Sequence, residues 1–600
     1  MSKLDFKDLV VLITGAGGGI GRSYAHFFAP RGAKVVINDV NAANADKVVA
    51  EVKALGGQAV AAVGSVTEGQ KIVDAAVAAF GTVHVLLNNA GILRDQSFRK
   101  MTEKQFDDIV DIHLTGAFSM TKAVWPLMRK QKFGRIVNTS SPAGIYGNAG
   151  QTNYSAAKMG LITFSRVLSF EGVKYDIKAN TIAPLAASPM TETVMTKEVL
   201  EHLTPDFIAP LIGVLTAKNG PDVKGRTFEL GAGYYGEIRW QESAGYTFKV
   251  DDSFTPSAVD HKWNQVKDFT KGSKYPDVTD GSEMMEILEL QPKLPPNEQG
   301  PPPPDSFKGY TIIITGAGGG LGRAYALHFA RFGANVVIND IAEGPAQETV
   351  DLVNKAGGVG AVAVGFVPQD AAKIVQVAVD KFGGAHALIN NAGILRDKAF
   401  VNMTEQSFTE MINIHLKGSW AMSKAVWPIF HKQNYGRIVN TSSPNGVNGA
   451  HGQANYATAK AAIIGFTRSL AIEGRKNNIL VNALAPSAGT AMTATVWPKE
   501  MLEMFKPDTV APIVAFLASQ RCHDTGTIIK TQGGRASEYR WERAFGVVFP
   551  NDKVPTAEEI AAKWKEVTYF DKRATHPKNN QESKVQIVGN FNNRSDKARL

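Results

Sequence analysis

Short apolar runs rich in β-branched residues punctuate this chain at regular intervals. LVVLIT (9–14), KVVIND (34–39), AVAAVG (59–64), HVLLNN (84–89), GRIVNTSS (134–141) and KANTIA (178–183) each have the length of a strand. Between them lie stretches such as IGRSYAHFFAP, whose apolar residues recur at helical spacing. Strands alternating with helices predict parallel βαβ units. The expected fold is therefore α/β, with Rossmann-type doubly wound parallel sheets. No apolar run approaches the roughly 20 residues that span a bilayer, so no membrane span is expected. The opening MSKLDFKDLVVLITG reads as the approach to a first strand at 9–13 rather than as a signal peptide.

The whole pattern occurs twice. VVLITGAGGGIGRSYA (10–25) returns as TIIITGAGGGLGRAYA (311–326), and LLNNAGILRDQSF (86–98) as LINNAGILRDKAF (388–400). The separation is 301 residues at Thr14 and Thr315, 302 at Tyr154 and Tyr456, and 301 again at Trp240 and Trp541. Such a period is far longer than a solenoid unit and marks a duplicated domain. The proline-rich QPKLPPNEQGPPPPDSF (291–307) reads as an extended linker, because proline fixes φ and lacks a donor. The expected domains are thus 1–290, with a core at 1–233 and a helical, aromatic-rich extension, and 308–600, with a corresponding extension and a polar tail.

Composition narrows the function only a little. The 600 residues are 44% apolar and 20% charged, a globular balance, and the length calls for more than one domain. Cys522 is the single cysteine, so neither an intramolecular disulfide nor a zinc site is available. The net charge of +9 suits anionic ligands, but no aromatic–basic module for nucleic acid accompanies it.

The candidate chemistry sits at strand ends. TGAGGGIG (14–21) follows a strand and opens a helix. Gly15 permits the tight turn, Gly19 the close approach of a dinucleotide, and Gly21 the packing of helix on strand. The helix start offers free N–H groups to a pyrophosphate. Asp39 ends the next strand and can accept from both ribose hydroxyls while repelling a 2′-phosphate, which favours NAD over NADP. The second copy supplies Gly316, Gly320, Gly322 and Asp340. Tyr154 and Lys158, four residues apart, share one helix face. A neighbouring ammonium favours the phenolate, so the pair is a candidate base that takes a hydroxyl proton as hydride leaves. Ser141, thirteen residues earlier, can position the substrate oxygen. Ser443, Tyr456 and Lys460 repeat the set.

In that order, these motifs resemble the short-chain dehydrogenase/reductase family, with TGxxxGxG, NNAG (88–91 and 390–393) and YxxxK in each half. The stretches SPAGIYGNAGQTNYSAAK and GRTFELGAGYYGEIRW are similar to the dehydrogenase part of the peroxisomal multifunctional enzymes of type 2, of the fungal kind with two dehydrogenase units. The resemblance implies NAD-dependent oxidation of (3R)-3-hydroxyacyl-CoA to 3-ketoacyl-CoA in peroxisomal fatty acid β-oxidation. The competing expectation is a ketoacyl or 17β-hydroxysteroid dehydrogenase or reductase. The resemblance also implies that Asn89, Ala90, Gly91, Asn391, Ala392 and Gly393 line the cofactor cleft, that Ile20 and Leu321 in the glycine turns contact the cofactor, and that Lys158 and Lys460 bind the nicotinamide ribose. Thr191 and Thr493 would belong to a mobile loop over cofactor and substrate.

Departures from the family pattern are confined. His113 and His415 stand where many members carry an asparagine that supports a relay water, and either histidine could hold that water, shuttle protons itself or serve as a satisfied packing residue. Family members pair through two helices, so the halves are expected to form an intramolecular pseudo-dimer, with 104–130 and 153–170 set against 406–432 and 455–472. Divergence after the sixth strand, SPMTETVMTKEVLEHL against TAMTATVWPKEMLEMF, predicts that the two sites divide substrates by acyl length. The resemblance further implies an enoyl-CoA hydratase domain in a full-length member. The 600 residues show no such segment and are read as a piece of a longer chain.

Overall fold

The computed structural model describes residues 3–187, 196–276, 282–300, 306–490, 494 and 498–595. Each half builds a parallel sheet in the order β3-β2-β1-β4-β5-β6-β7. The first half contributes β1 (Val10–Ile13), β2 (Lys34–Asp39), β3 (Gln58–Val63), β4 (Val85–Asn88), β5 (Gly134–Thr139), β6 (Ile177–Pro184) and β7 (Thr227–Gly231). Two further strands, β8 (Tyr234–Glu242) and the short β9 (Tyr246–Thr247), follow. The second half repeats the arrangement as β10 (Thr311–Ile314), β11 (Asn335–Asp340), β12 (Val359–Val364), β13 (Ala387–Asn390), β14 (Gly436–Thr441), β15 (Ile479–Ser487), β16 (Ile528–Gln532), β17 (Arg535–Arg543) and β18 (Val547–Val548). β1 and β10 are buried on both faces, as parallel strands covered by helices must be.

The two sheets are one. β8 runs antiparallel to β7 on one side and to β17 on the other, and β17 pairs antiparallel with β16. The result is a continuous sheet of 18 strands. Its twofold-like centre lies at Trp240 opposite Trp541, whose rings stack 3.7 Å apart. Residues 234–242, read from sequence as the start of a helical extension, are therefore a strand. Residues 234–238 form a hairpin with β7, and the strand runs on to Glu242 along the edge of β17 that the other half supplies. The proline-rich stretch also begins less extended than expected, because Gln291–Lys293 closes a 3-10 turn.

Beyond the sheet, each half reaches into the other. Phe248, Phe254, Val259, Trp263 and Val266 enter a core otherwise built from the second half, and Trp263 packs 4.6 Å from Phe516. Val547, Ala557, Ile560 and Val567 enter the first half's core in return.

A second contact forms between helices. Those that matter for the site are α1 (Gly19–Phe28), α2 (Gly116–Gln131), α3 (Thr152–Gly172), α4 (Gly320–Arg331), α5 (Gly418–Gln433) and α6 (Ala454–Gly474). α3 is buried nearly all round because one side lies on its own sheet and the other on α6. α2 and α5 join the same core, where Phe118 stacks on Phe408 at 4.4 Å and Phe98 meets Trp427 edge-on at 4.9 Å. Glycine sets the approach of α3 to α6, since a Cβ on Gly465 would lie 2.2 Å from the Ser155 carbonyl oxygen. Gly465→Ala should therefore force the helices apart and cost about 1–3 kcal/mol, read as a lower urea midpoint. An unchanged midpoint would show that the contact is not close packed.

Candidate active site

The glycine turn is held by its own acid. Gly15 has φ +61° and Gly19 φ +51°, the left-handed region that glycine enters without strain. The Gly17 N–H donates to Asp39 Oδ2 at 3.0 Å, and the Asn41 N–H donates to Oδ1 at 2.9 Å. Asp340 accepts from Gly318 and Ala342 in the same way, at 3.0 and 3.3 Å. Asp39 and Asp340 thus act as turn-forming groups, and each carboxylate oxygen retains a lone pair for a further donor. A Cβ on Gly21 would sit 2.6 Å from the Gly15 carbonyl oxygen, so α1 packs on the turn only with glycine there; Gly322 repeats this at 2.5 Å. By contrast, no heavy atom lies within 4 Å of a Cβ built on Gly18 or Gly319, so the backbone there faces open space.

Thr14, which the sequence reading did not single out, ties the turn to the NNAG segment. Its hydroxyl accepts from the Asn89 and Ala90 N–H groups, at 2.9 and 3.0 Å, and Asn89 Nδ2 donates back to the Thr14 carbonyl at 3.0 Å. Thr315, Asn391 and Ala392 form the same clasp. The available signal was the threonine heading both glycine turns.

Ser141 caps the short helix Pro142–Tyr146, and its hydroxyl faces the Tyr154 phenol closely enough to pull the phenol's pKa down. Tyr154 and Lys158 lie on the first turns of α3, and Lys158 Nζ stands 5.4 Å from the phenol ring centroid while donating to the Thr139 carbonyl at 2.7 Å. Ser443, Tyr456 and Lys460 match, with Lys460 donating to Thr441 at 2.7 Å. The electrostatics differ from the sequence expectation. Burial pushes both phenols up to about 12, against the opposing pull of the serine hydroxyls, and pushes both lysines down to about 7. Desolvation penalises phenolate and ammonium alike, so proximity of the lysine alone does not make the phenol acidic.

His113 and His415 sit in π-helical turns, Asp111–Thr115 and Ile412–Lys417, directly before α2 and α5. Each ring lies edge-on to the phenol, 5.3 Å from Tyr154 or Tyr456. His113 Nε2 is 3.0 Å from the Ile92 carbonyl and 3.2 Å from the Ile92 N–H, so one tautomer serves each contact. Nδ1 of both rings is buried without a protein partner. Burial and the nearby lysine charge hold both imidazoles well below their usual range. This favours their neutral form, which suits holding a water more than carrying a proton as imidazolium. Gly91 and Gly393 are required beside them, since a Cβ there would lie 2.4 Å from the imidazole Cε1.

In the second half these groups line one cavity of about 1100 Å³, running from Gly319, Gly320, Leu321 and Asp340 past Asn391, Ala392 and Gly393 to Ser443, Tyr456 and Lys460. Its volume, the open backbone at Gly319 and the acid at Asp340 fit an extended dinucleotide. The wall beyond Lys460 comes from the first half, through Lys274, Glu283 and Met284, a contribution without a sequence signal. In the first half Ile20 is half-buried at the start of α1, as Leu321 is in α4. Thr191 and Thr493 lie outside the described residues.

The chain matches the short chain dehydrogenase family over residues 9–204 and 310–501 and belongs to that family, a class of oxidoreductase. Among curated proteins it is 45% identical over 603 residues to the peroxisomal hydratase-dehydrogenase-epimerase of Neurospora crassa, covering 99% of this chain and 67% of that protein. It is also 45% identical over 607 residues to the protein of that name in Saccharomyces cerevisiae, covering 98% and 67%. The mouse peroxisomal multifunctional enzyme type 2 is 46% identical over 283 residues, 46% of this chain and 38% of that protein. This chain thus spans two thirds of the length of its fungal relatives. Among the described residues no helix is long and apolar enough to cross a membrane.

Proposed function

We propose that each half oxidises a (3R)-3-hydroxyacyl-CoA to the 3-ketoacyl-CoA with NAD, in peroxisomal β-oxidation. The observation that carries this is the convergence, in both halves, of a serine, a half-buried tyrosine and a buried lysine with a glycine turn and an acid that repels a 2′-phosphate. The names of the relatives support the substrate and compartment. The hydratase in the fungal names fits as the activity that places the hydroxyl.

Bound NAD supplies the hydride acceptor. Asp39 and Asp340 orient the adenosine ribose, and the open backbone at Gly18 and Gly319 admits the pyrophosphate. Ser141 and Ser443 hold the substrate oxygen. With NAD bound, the joint charge of Lys158 or Lys460 and the nicotinamide ring favours loss of the phenol proton of Tyr154 and Tyr456 to solvent, and the resulting phenolates take the substrate's hydroxyl proton; the same lysines hold the ribose. His113 and His415, neutral and with a free ring nitrogen, hold a water or substrate group rather than carry charge. Together the halves act as an intramolecular pseudo-dimer.

The test is NADH formation from resolved 3-hydroxyacyl-CoA enantiomers. Turnover is expected with the 3R form and NAD, with the 3S form and NADP each at least about tenfold poorer. Preferential NADPH-driven reduction of ketoacyl or steroid substrates would overturn the reading.

A further inference from the structure

The two halves meet through contacts of two kinds. Most are the same from either side. Glu171 accepts from the Phe400 and Gly452 N–H groups, and Glu473 accepts from Phe98 and Gly150. Lys122 donates to the Phe400 carbonyl and Lys424 to that of Phe98. Such contacts would serve equally if either half paired with a copy of itself.

The charge contacts at the sheet junction would not. Register fixes the equivalences, because Thr227 opposes Ile238 in β7–β8 as Ile528 opposes Tyr539 in β16–β17. On that frame Glu229 corresponds to Lys530, and Glu242 to Arg543. Across the junction Glu229 meets Arg543 at 3.4 Å, with both side chains 2% exposed. At the related place Lys530 meets Glu242 at 3.2 Å, with side chains 12% and 3% exposed. The first half therefore offers acid and acid, the second base and base. Each pair is further held by hydroxyl donors, Tyr146 to Glu229 at 2.9 Å and Ser537 to Glu242 at 2.6 Å.

We infer that this inverted polarity makes the halves selective for each other. It rests on the pairing and not on the redox chemistry, so an inactive chain would give the same result. Two first halves brought together would bury Glu229 against Glu242, at both ends of the junction. Two second halves would bury Lys530 against Arg543. Buried like charges without counterions are strongly disfavoured, by about a hundredfold or more for each contact. The covalent link raises the local concentration of the right partner but does not exclude the wrong one on a neighbouring chain. The charge pattern supplies that exclusion, and a continuous sheet centred on Trp240 and Trp541 is what it protects.

The test uses the full chain. Glu229→Lys/Arg543→Glu gives each half the residue its counterpart already has, so every ion pair inside one chain survives and like-with-like pairing becomes attractive too. Unfolded in urea and refolded at high concentration, the native chain should sediment as a one-chain species. The double variant should give at least about tenfold more multi-chain species. Arg543→Glu alone, facing Glu229, should lower the urea midpoint, and adding Glu229→Lys should restore it. Unchanged sedimentation in the double variant, or a double variant no more stable than Arg543→Glu, would overturn the inference.

Discussion

Tyr154→Phe combined with Tyr456→Phe should lower kcat by about 10²–10⁴-fold while cofactor still binds. The phenolate is the group of the set best placed to take the substrate proton, because burial and the lysine charge leave the neighbouring imidazole a weak base and the lysine is engaged by a backbone carbonyl. Phenylalanine keeps the ring packed edge-on against His113 or His415 and removes only the oxygen. Each single variant should retain the turnover of the untouched half. The residual chain-length profiles of the two should then differ, since the loops after β6 and β15 differ. Measured turnover close to native in the double variant would eliminate the phenols as bases, and identical profiles in the single variants would end the division of substrates.

The cofactor-free chain should become more stable between about pH 7 and 10. Lys158 and Lys460 titrate near 7 when folded and near 10.5 when unfolded. Below pH 7 both states hold the proton and the folded state bears the full penalty of the buried cation. Within the window the unfolded chain binds protons that the folded chain has released, so stability rises with pH. The full displacement corresponds to roughly 4–5 kcal/mol for each lysine. The phenols act in the opposite sense at higher pH. They stay protonated to about 12 when folded, whereas an unfolded tyrosine releases near 10, so stability falls again above pH 10. Urea unfolding of the native chain and of Lys158→Met/Lys460→Met at pH 7 and 10 isolates the effect. If the variant gains as much with pH as the native chain, burial of these lysines is not its source.

Much of the architecture could be read from local pattern. The parallel order needs only short strands, intervening helices and right-handed crossovers, and these leave periodic traces in sequence. The glycines at 15, 19 and 21 were equally legible, because backbone with positive φ or under a close contact tolerates little else. Thr14 was missed because a hydroxyl that clasps two backbone amides has no periodicity of its own. β8 was missed although it forms a hairpin with β7, because its aromatic-rich run was read as helical and the half of it beyond Ile238 pairs only with an edge hundreds of residues away.

The residues of the candidate site were thus set by sequence, through spacing along single elements: a tyrosine and a lysine one helical turn apart, a serine at a strand end, an acid closing a turn. Their charge states were not. Whether a phenol or an amine is protonated depends on how much water the surrounding fold removes, and that is a property of packing from all directions. The same holds for the junction. Glu229, Glu242, Lys530 and Arg543 are ordinary charges in the sequence, and only the register of β7–β8 against β16–β17 brings them face to face, where low dielectric turns their signs into a choice of partner.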